Sequence, residues 1–196
     1  MDTDTVDRLH MLMHALTARA DLDPSLPVAV GDLHVAATID VRWAWPRPTA
    51  TLIVDRTTAE QWPQDALAGL VAHQLGYIAL GHISFEVYVL GAAQHVLPVA
   101  ATVVVVWGLI EFTMLPVLLP VGAGLLLAYQ AILWIFRRRV YASDRFAVDL
   151  VGATPVRAML RLQHGGGGAR NAVREHWAPQ THPTIEQRLR ARPVRS

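Results

Sequence analysis

The chain of 196 residues contains no cysteine, which excludes thiolate catalysis, disulfides and cysteine-ligated zinc or iron–sulfur clusters. Lysine is absent as well: all seventeen basic residues are arginine, so a lysine Schiff base and a phosphate-loop lysine are excluded. Metal chemistry is left to histidine and carboxylates. An excess of one charge sign is also missing, because seventeen basic residues stand against sixteen acidic ones for a net charge of +1. Nothing in that total points to nucleic acid. Between residues 87 and 136 formal charge nearly vanishes, Glu111 being the only instance. The first residues, Met1-Asp-Thr-Asp-Thr-Val-Asp7, are acidic where a secretory signal is basic, and no apolar run follows them. The beginning of the chain is therefore expected to stay in the cytoplasm.

What is present has an uneven layout. The hydrophobic share of 53% and a mean hydropathy of +0.30 fit a soluble part joined to one group of membrane segments. Residues 1–86 carry five Arg against eleven Asp or Glu, whereas residues 137–196 carry twelve Arg against four. Oppositely charged ends favour docking on each other. Val6, Leu9, Met13, Leu16 and Ala20 recur at helical spacing and predict a core-facing helix, broken by Asp21 to Pro27. Two β-prone runs, Val28 to Thr38 and Thr49 to Val54, predict a small antiparallel sheet. A helix is predicted from Pro63 to Gly81, and another from Tyr141 to Leu162. Between them, Val87–Trp107 and Leu115–Phe136 are each long and apolar enough to cross a bilayer, with a turn around Glu111 to Pro116. Arg137, Arg138 and Arg139 close the second span on the cytoplasmic side by the positive-inside rule. Gly165 to Gly168 read as a linker, since neither a strand nor a Lys-Ser/Thr pair accompanies them.

Three short segments carry chemistry. The central helix reads His73-Gln74-Leu75-Gly76-Tyr77, which keeps the first histidine of the H-E-x-x-H pattern of zinc peptidases and neither of its other two functional residues. Tyr141-Ala-Ser-Asp144-Arg145-Phe146-Ala147-Val148-Asp149-Leu150-Val151-Gly152 and Thr181-His182-Pro183-Thr184-Ile185-Glu186-Gln187-Arg188 follow in order, on the far side of the apolar pair. With that pair inserted between them, the three segments resemble the HtpX-like and CAAX prenyl protease family of membrane zinc endopeptidases. The likeness runs from about residue 28 to 192. It implies an α+β, mostly helical fold: a gluzincin-like minimal metallopeptidase domain with a small antiparallel sheet and an inserted two-helix transmembrane hairpin. Residues 1–86 and 137–196 are then two parts of one cytoplasmic domain, and residues 87–136 the hairpin. Carried over by position, the resemblance puts zinc ligands on His73, Tyr77 and Val140 and the catalytic glutamate on Gln74. Asp144 matches the aspartate that supports the ligand shell. His182 and Arg188 match groups that assist substrate and transition state, and Trp43 and Trp45 fall where the family aligns a peptide along an edge strand.

The residues at the centre of this pattern do not suit the reaction. Zinc hydrolysis needs three protein ligands and an open position for water. Val140 has no donor atom, Tyr77 ligates only as a phenolate with a reference pKa of about 10, and Gln74 has no carboxylate to take a proton. No cofactor is expected, and zinc only if a non-standard set such as His73, His82, His164, His176 and His182 assembles in space. Gln94 and His95 lie within the first apolar span, where a polar pair packs on the second span or meets a partner's helix. The sequence thus predicts a membrane-anchored, catalytically inactive relative of bacterial zinc endopeptidases, acting through protein or peptide binding. Its expected place is the cytoplasmic (inner) membrane, with two spans and both termini cytoplasmic; its partners are the bilayer and a protein, not nucleic acid. An active membrane metalloendopeptidase with an unusual metal site, and a scaffold whose hairpin carries the interaction, are the alternatives.

Overall fold

The computed structural model describes residues 3–33, 35–42, 49–82, 85–110, 115–165 and 187–188. It is mostly helical, with one three-stranded sheet: α1 (Thr3–Arg19), β1 (Val28–Gly31), β2 (Ala37–Arg42), β3 (Thr49–Asp55), α2 (Arg56–Gln61), α3 (Gln64–Ala79), α4 (Phe85–Ile110), α5 (Leu115–Val151) and α6 (Ala153–Gly165). The spacing in α1 does what it predicts, since Leu9, Met13 and Leu16 are buried on one face. Strand β3 alternates, with Ala50, Leu52 and Val54 turned into the core. Leu52 and Val54 join Leu9, Met13 and Leu16 of α1, Leu70, Val71 and Leu75 of α3, Ala147 and Leu150 of α5, and Val156 and Met159 of α6 in a single apolar cluster.

The sheet is mixed rather than antiparallel throughout. Its order is β1-β3-β2: β2 pairs antiparallel with β3, setting Ala37 against Val54, while β1 pairs parallel with it, setting Val28 against Leu52. The first β-prone run divides into two strands placed on opposite sides of β3, so the link between them must cross its end. Asp55 holds that link. Its backbone N–H donates to the Ala36 carbonyl at 2.9 Å, and its carboxylate accepts from the backbone N–H groups of Leu33 at 2.9 Å and Thr58 at 3.2 Å, the latter capping α2. Burial pushes the Asp55 carboxyl up, yet the donors from Thr57, Leu33 and Thr58 outweigh it and hold it below the ordinary carboxylate value.

Helix α3 is the centre of the domain because two glycines let other backbones come close. A Cβ on Gly69 would stand 2.5 Å from the Pro155 carbonyl oxygen of α6, and one on Gly76 would stand 3.0 Å from the Ser143 Cα of α5. With His73 at the intervening i+4 position, these residues share one face of α3. The helix ends in a Schellman turn: Gly81 takes φ +69, its N–H donates to the Ile78 carbonyl, and the His82 N–H donates to the Tyr77 carbonyl.

Two expectations about the later helices change. No break separates the apolar run from the helix after it, because 137–141 hold neither glycine nor proline; α5 continues for 37 residues, about 55 Å at 1.5 Å per residue. The break comes at Gly152, whose φ of +90 suits glycine and turns the chain into α6. Among the described residues one helix, Pro116–Val151, is long and apolar enough to cross a membrane, and only 17% of its most apolar window is buried within the chain. The described apolar part of α4, His95–Ile110, is shorter. The two helices pack on each other, Gly122 of α5 facing the Val105 side chain of α4 at 3.1 Å from its Cβ position.

Gly69→Ala forces a backbone shift and is expected to destabilise by about 1–3 kcal/mol, read as a lower melting temperature in detergent. Gly124→Ala, with nothing within 4 Å, is the control and is expected to leave that temperature unchanged or slightly raised.

Candidate functional site

Three segments distant in sequence meet beside the glycine face of α3. His73, 5% exposed, points its Nδ1 at Oδ1 of Asp144 on α5, 2.9 Å away, a close contact lying off the line of an ideal hydrogen bond. Arg188, in the short helical turn at residues 187–188, grips the same carboxylate with two parallel bonds, Nε to Oδ2 at 2.8 Å and Nη2 to Oδ1 at 2.6 Å. Its Nη2 also lies 3.5 Å from Nε2 of His73, and its Nη1 donates to Oε1 of Gln163 on α6 at 3.4 Å. The guanidinium thus reaches acceptors on α3, α5 and α6 together.

The electrostatics follow from burial. Burial pushes the His73 pKa down, reinforced by the Arg188 charge and opposed by Asp144, so the imidazole is neutral at pH 7. With Nδ1 protonated, the ring presents N–H to the carboxylate and a lone pair to the guanidinium, which suits both neighbours. Asp144 lies beyond the apolar part of α5; burial raises its pKa, and the bonds from Arg188 and His73 more than reverse that, leaving it below the ordinary carboxylate range. Tyr77 stands one turn after His73, its ring edge-on to that imidazole at 5.2 Å between centroids and to His82 at 5.7 Å. Burial pushes its phenol up to about 12.

The other sequence-derived candidates are placed as follows. Val140 is buried one turn before Asp144, and Gln74 is partly buried beside His73. His82, nine residues after His73, does not point away as a straight helix would require: the Schellman turn folds it back onto Tyr77, which stands between the two imidazoles. His95 is exposed on α4. Trp43, Trp45, His176 and His182 lie outside the described residues, as do the side chains of Gln94 and His164. Two contributors were missed in the sequence: Gln163, which nothing local marks, and the pair Gly69 and Gly76, whose seven-residue spacing within a helix signals a close-packed face.

A zinc ion does not fit this set. Of the three family ligand positions, Val140 offers no donor, Tyr77 would have to ionise against a pKa of about 12, and Nε2 of His73 faces a permanent cation. Among the described residues no group of three or more His, Cys, Asp or Glu is disposed to hold a metal.

A helix bearing a buried histidine, packed on a second helix that supplies its carboxylate partner and flanked by a small sheet, has the layout of a metallopeptidase domain. The chain belongs to peptidase family M48, whose family model matches residues 8–192. No curated protein and no solved structure matches it.

Arg188→Ala leaves Asp144 buried without its cation and is expected to cost about 3–5 kcal/mol, measured by chemical or thermal unfolding in detergent. Acidification is expected to destabilise in two stages. A histidine whose folded pKa is depressed loses stability as pH falls below its unfolded value of 6.5, by at most about 1.4 kcal/mol per pH unit. The lowered Asp55 and Asp144 pKa values contribute stability that is complete above the unfolded value of 3.8 and lost as pH falls through the folded ones. A melting-temperature profile flat above pH 7 and falling from about 6.5 checks both signs, and His73→Asn is expected to reduce the upper stage to the part left by His82, whose pKa burial and the Arg139 charge also lower.

Proposed function

We propose that this M48 member does not hydrolyse peptides and acts by binding a protein or peptide while anchored in a membrane. The observation that carries the reading is the pairing of Gln74, which cannot serve as a general base, with a His73 whose Nε2 faces the Arg188 guanidinium instead of an open ligand position. Loss of general-base action alone typically costs roughly 10²- to 10⁴-fold in rate, and loss of the metal removes water activation as well.

The anchor is part of the proposal. Val87–Trp107 and Leu115–Phe136 form two spans, and Arg137, Arg138 and Arg139 lie at the cytoplasmic surface with both termini on that side. Exposed Val96, Val99, Val103 and Trp107 on α4 and exposed Leu126, Leu127 and Trp134 on α5 support it, since in water they would form one large apolar surface. The Arg138 guanidinium, 4.0 Å above the Trp134 ring, fits an anchor at the headgroup level. Trp43 and Trp45, at the positions where the resemblance puts a substrate-aligning edge strand, are the candidates for a peptide groove. The same exposed helix faces favour a second reading, a scaffold whose partner helix packs along α4 at Gln94 and His95.

Chain purified in detergent without added metal is expected to hold far less than one zinc by mass spectrometry, unchanged by His73→Ala, and to leave an unfolded protein substrate uncut. One zinc per chain, lost in His73→Ala and accompanied by cleavage, would restore the active-peptidase alternative. Photo-crosslinkers placed at Trp45 and at Val103 in native membranes separate the binding readings: an adduct at 45 supports the peptide groove, and one confined to 103 supports the scaffold.

A further inference from the structure

Helix α5 carries two seams on opposite sides. Leu118, Gly122, Leu125, Tyr129 and Ile132 recur in steps of four and three, are buried or half-buried, and share the face on which Gly122 meets Val105 of α4. Pro120, Ala123, Leu127, Gln130 and Trp134 recur in the same alternating steps about 200° further round the helix, and every one of them is exposed. Gly124, beside this second seam, has nothing within 4 Å of its Cβ position. Alternating steps of three and four are the spacing of helices that pack along their length as a left-handed pair. One seam of α5 is thus filled by α4, and the other, of the same geometry, has no described element against it.

Lipid would cover an entirely apolar seam, but this one contains an amide. Gln130 is exposed and hydrogen-bonds to no described residue. Under the membrane-anchored reading, on which this inference rests, it lies seven residues before Arg137, about 10 Å into the membrane from the arginines. A glutamine side chain does not span that distance, and an amide left unpaired among acyl chains is costly. We infer that α5 is a dimerisation helix: two copies of this chain pack their open seams in parallel, and the two Gln130 amides hydrogen-bond to each other across a twofold axis along the membrane normal. Insertion in the same direction puts both amides at one depth, and each offers the other a donor and an acceptor. A partner of different sequence would need a polar group of its own at that level. Ala123 and Gly124 leave room for the close approach that membrane helices use, and a single polar position in an apolar seam fixes the register of the pair.

Because the chain contains no cysteine, single-cysteine variants report on one position each. Ala123→Cys and Leu127→Cys, oxidised in native membranes, are expected to give a disulfide product of twice the chain's mass. Leu125→Cys, on the α4 side, and Val121→Cys, exposed but away from the seam, are expected to give none. In phosphatidylcholine vesicles, energy transfer between donor- and acceptor-labelled copies is expected to show association weakened about fivefold by Gln130→Leu and largely kept by Gln130→Asn. Absence of a double-mass product, a product at Val121→Cys as abundant as at Leu127→Cys, or a disulfide to a protein of another mass overturns the self-pairing. Unchanged association in Gln130→Leu overturns it as well, since the amide is what selects a second copy. Alkaline carbonate washing separates this failure from that of the anchored reading: a chain that stays in the membrane without dimerising overturns the inference alone, and a chain that is released overturns both.

Discussion

A buried carboxylate has to be neutralised, and the rest of this structure is arranged around the way Asp144 meets that requirement. An isolated carboxylate at 9% exposure would be protonated or would expel its helix from the core. Arg188, 44 residues later, supplies the charge, and His73, 71 residues earlier, brings its Nδ1 to 2.9 Å. Their sequence separation makes the ion pair a constraint on tertiary structure: α3, α5 and the 187–188 turn have to converge for any one of the three side chains to be satisfied. Such a centre is unforgiving of single losses, since removing one partner strands the others in a low-dielectric interior.

The convergence depends on backbone proximity that only small residues allow. Gly69 brings α3 against α6 at a distance that a side chain would prevent, and Gly76 brings it against α5 at a distance that a side chain would crowd. His73 lies between them on that face, so the two glycines set how deeply its imidazole enters. The continuity of α5 adds a second constraint. Its apolar first part and the part carrying Val140, Ser143 and Asp144 belong to one uninterrupted helix, so the orientation of the site helix is tied to that of the apolar segment. The turn to α6 is postponed to Gly152, where a positive φ is available.

Much of this is legible in the sequence alone. The step pattern of Leu9, Met13 and Leu16 marked a core face, the run from 115 to 136 marked an apolar helix, and the three ordered segments marked the family. These are local signals, readable from period, composition or short motifs. The parallel pairing of β1 with β3 was not legible, because strand direction depends on where the 32–36 link is pinned, and Asp55 pins it through contacts across the sheet. The break expected between Phe136 and Tyr141 followed from the apolar run ending at the arginine triplet, although residues 137–141 contain no helix breaker.

Alone, the sequence determined which chemistry this protein can hold. Cysteine and lysine are absent, Gln74 has no carboxylate and Val140 has no donor atom, and no fold can restore atoms that side chains lack. Only the tertiary structure decided what surrounds His73. That Arg188 faces Nε2 of His73 while Asp144 faces Nδ1, and that His82 folds back onto Tyr77, are matters of direction and distance between residues up to 115 positions apart. Side-chain identity is written in the chain, whereas the field each side chain feels is made by neighbours that burial and backbone packing bring to it.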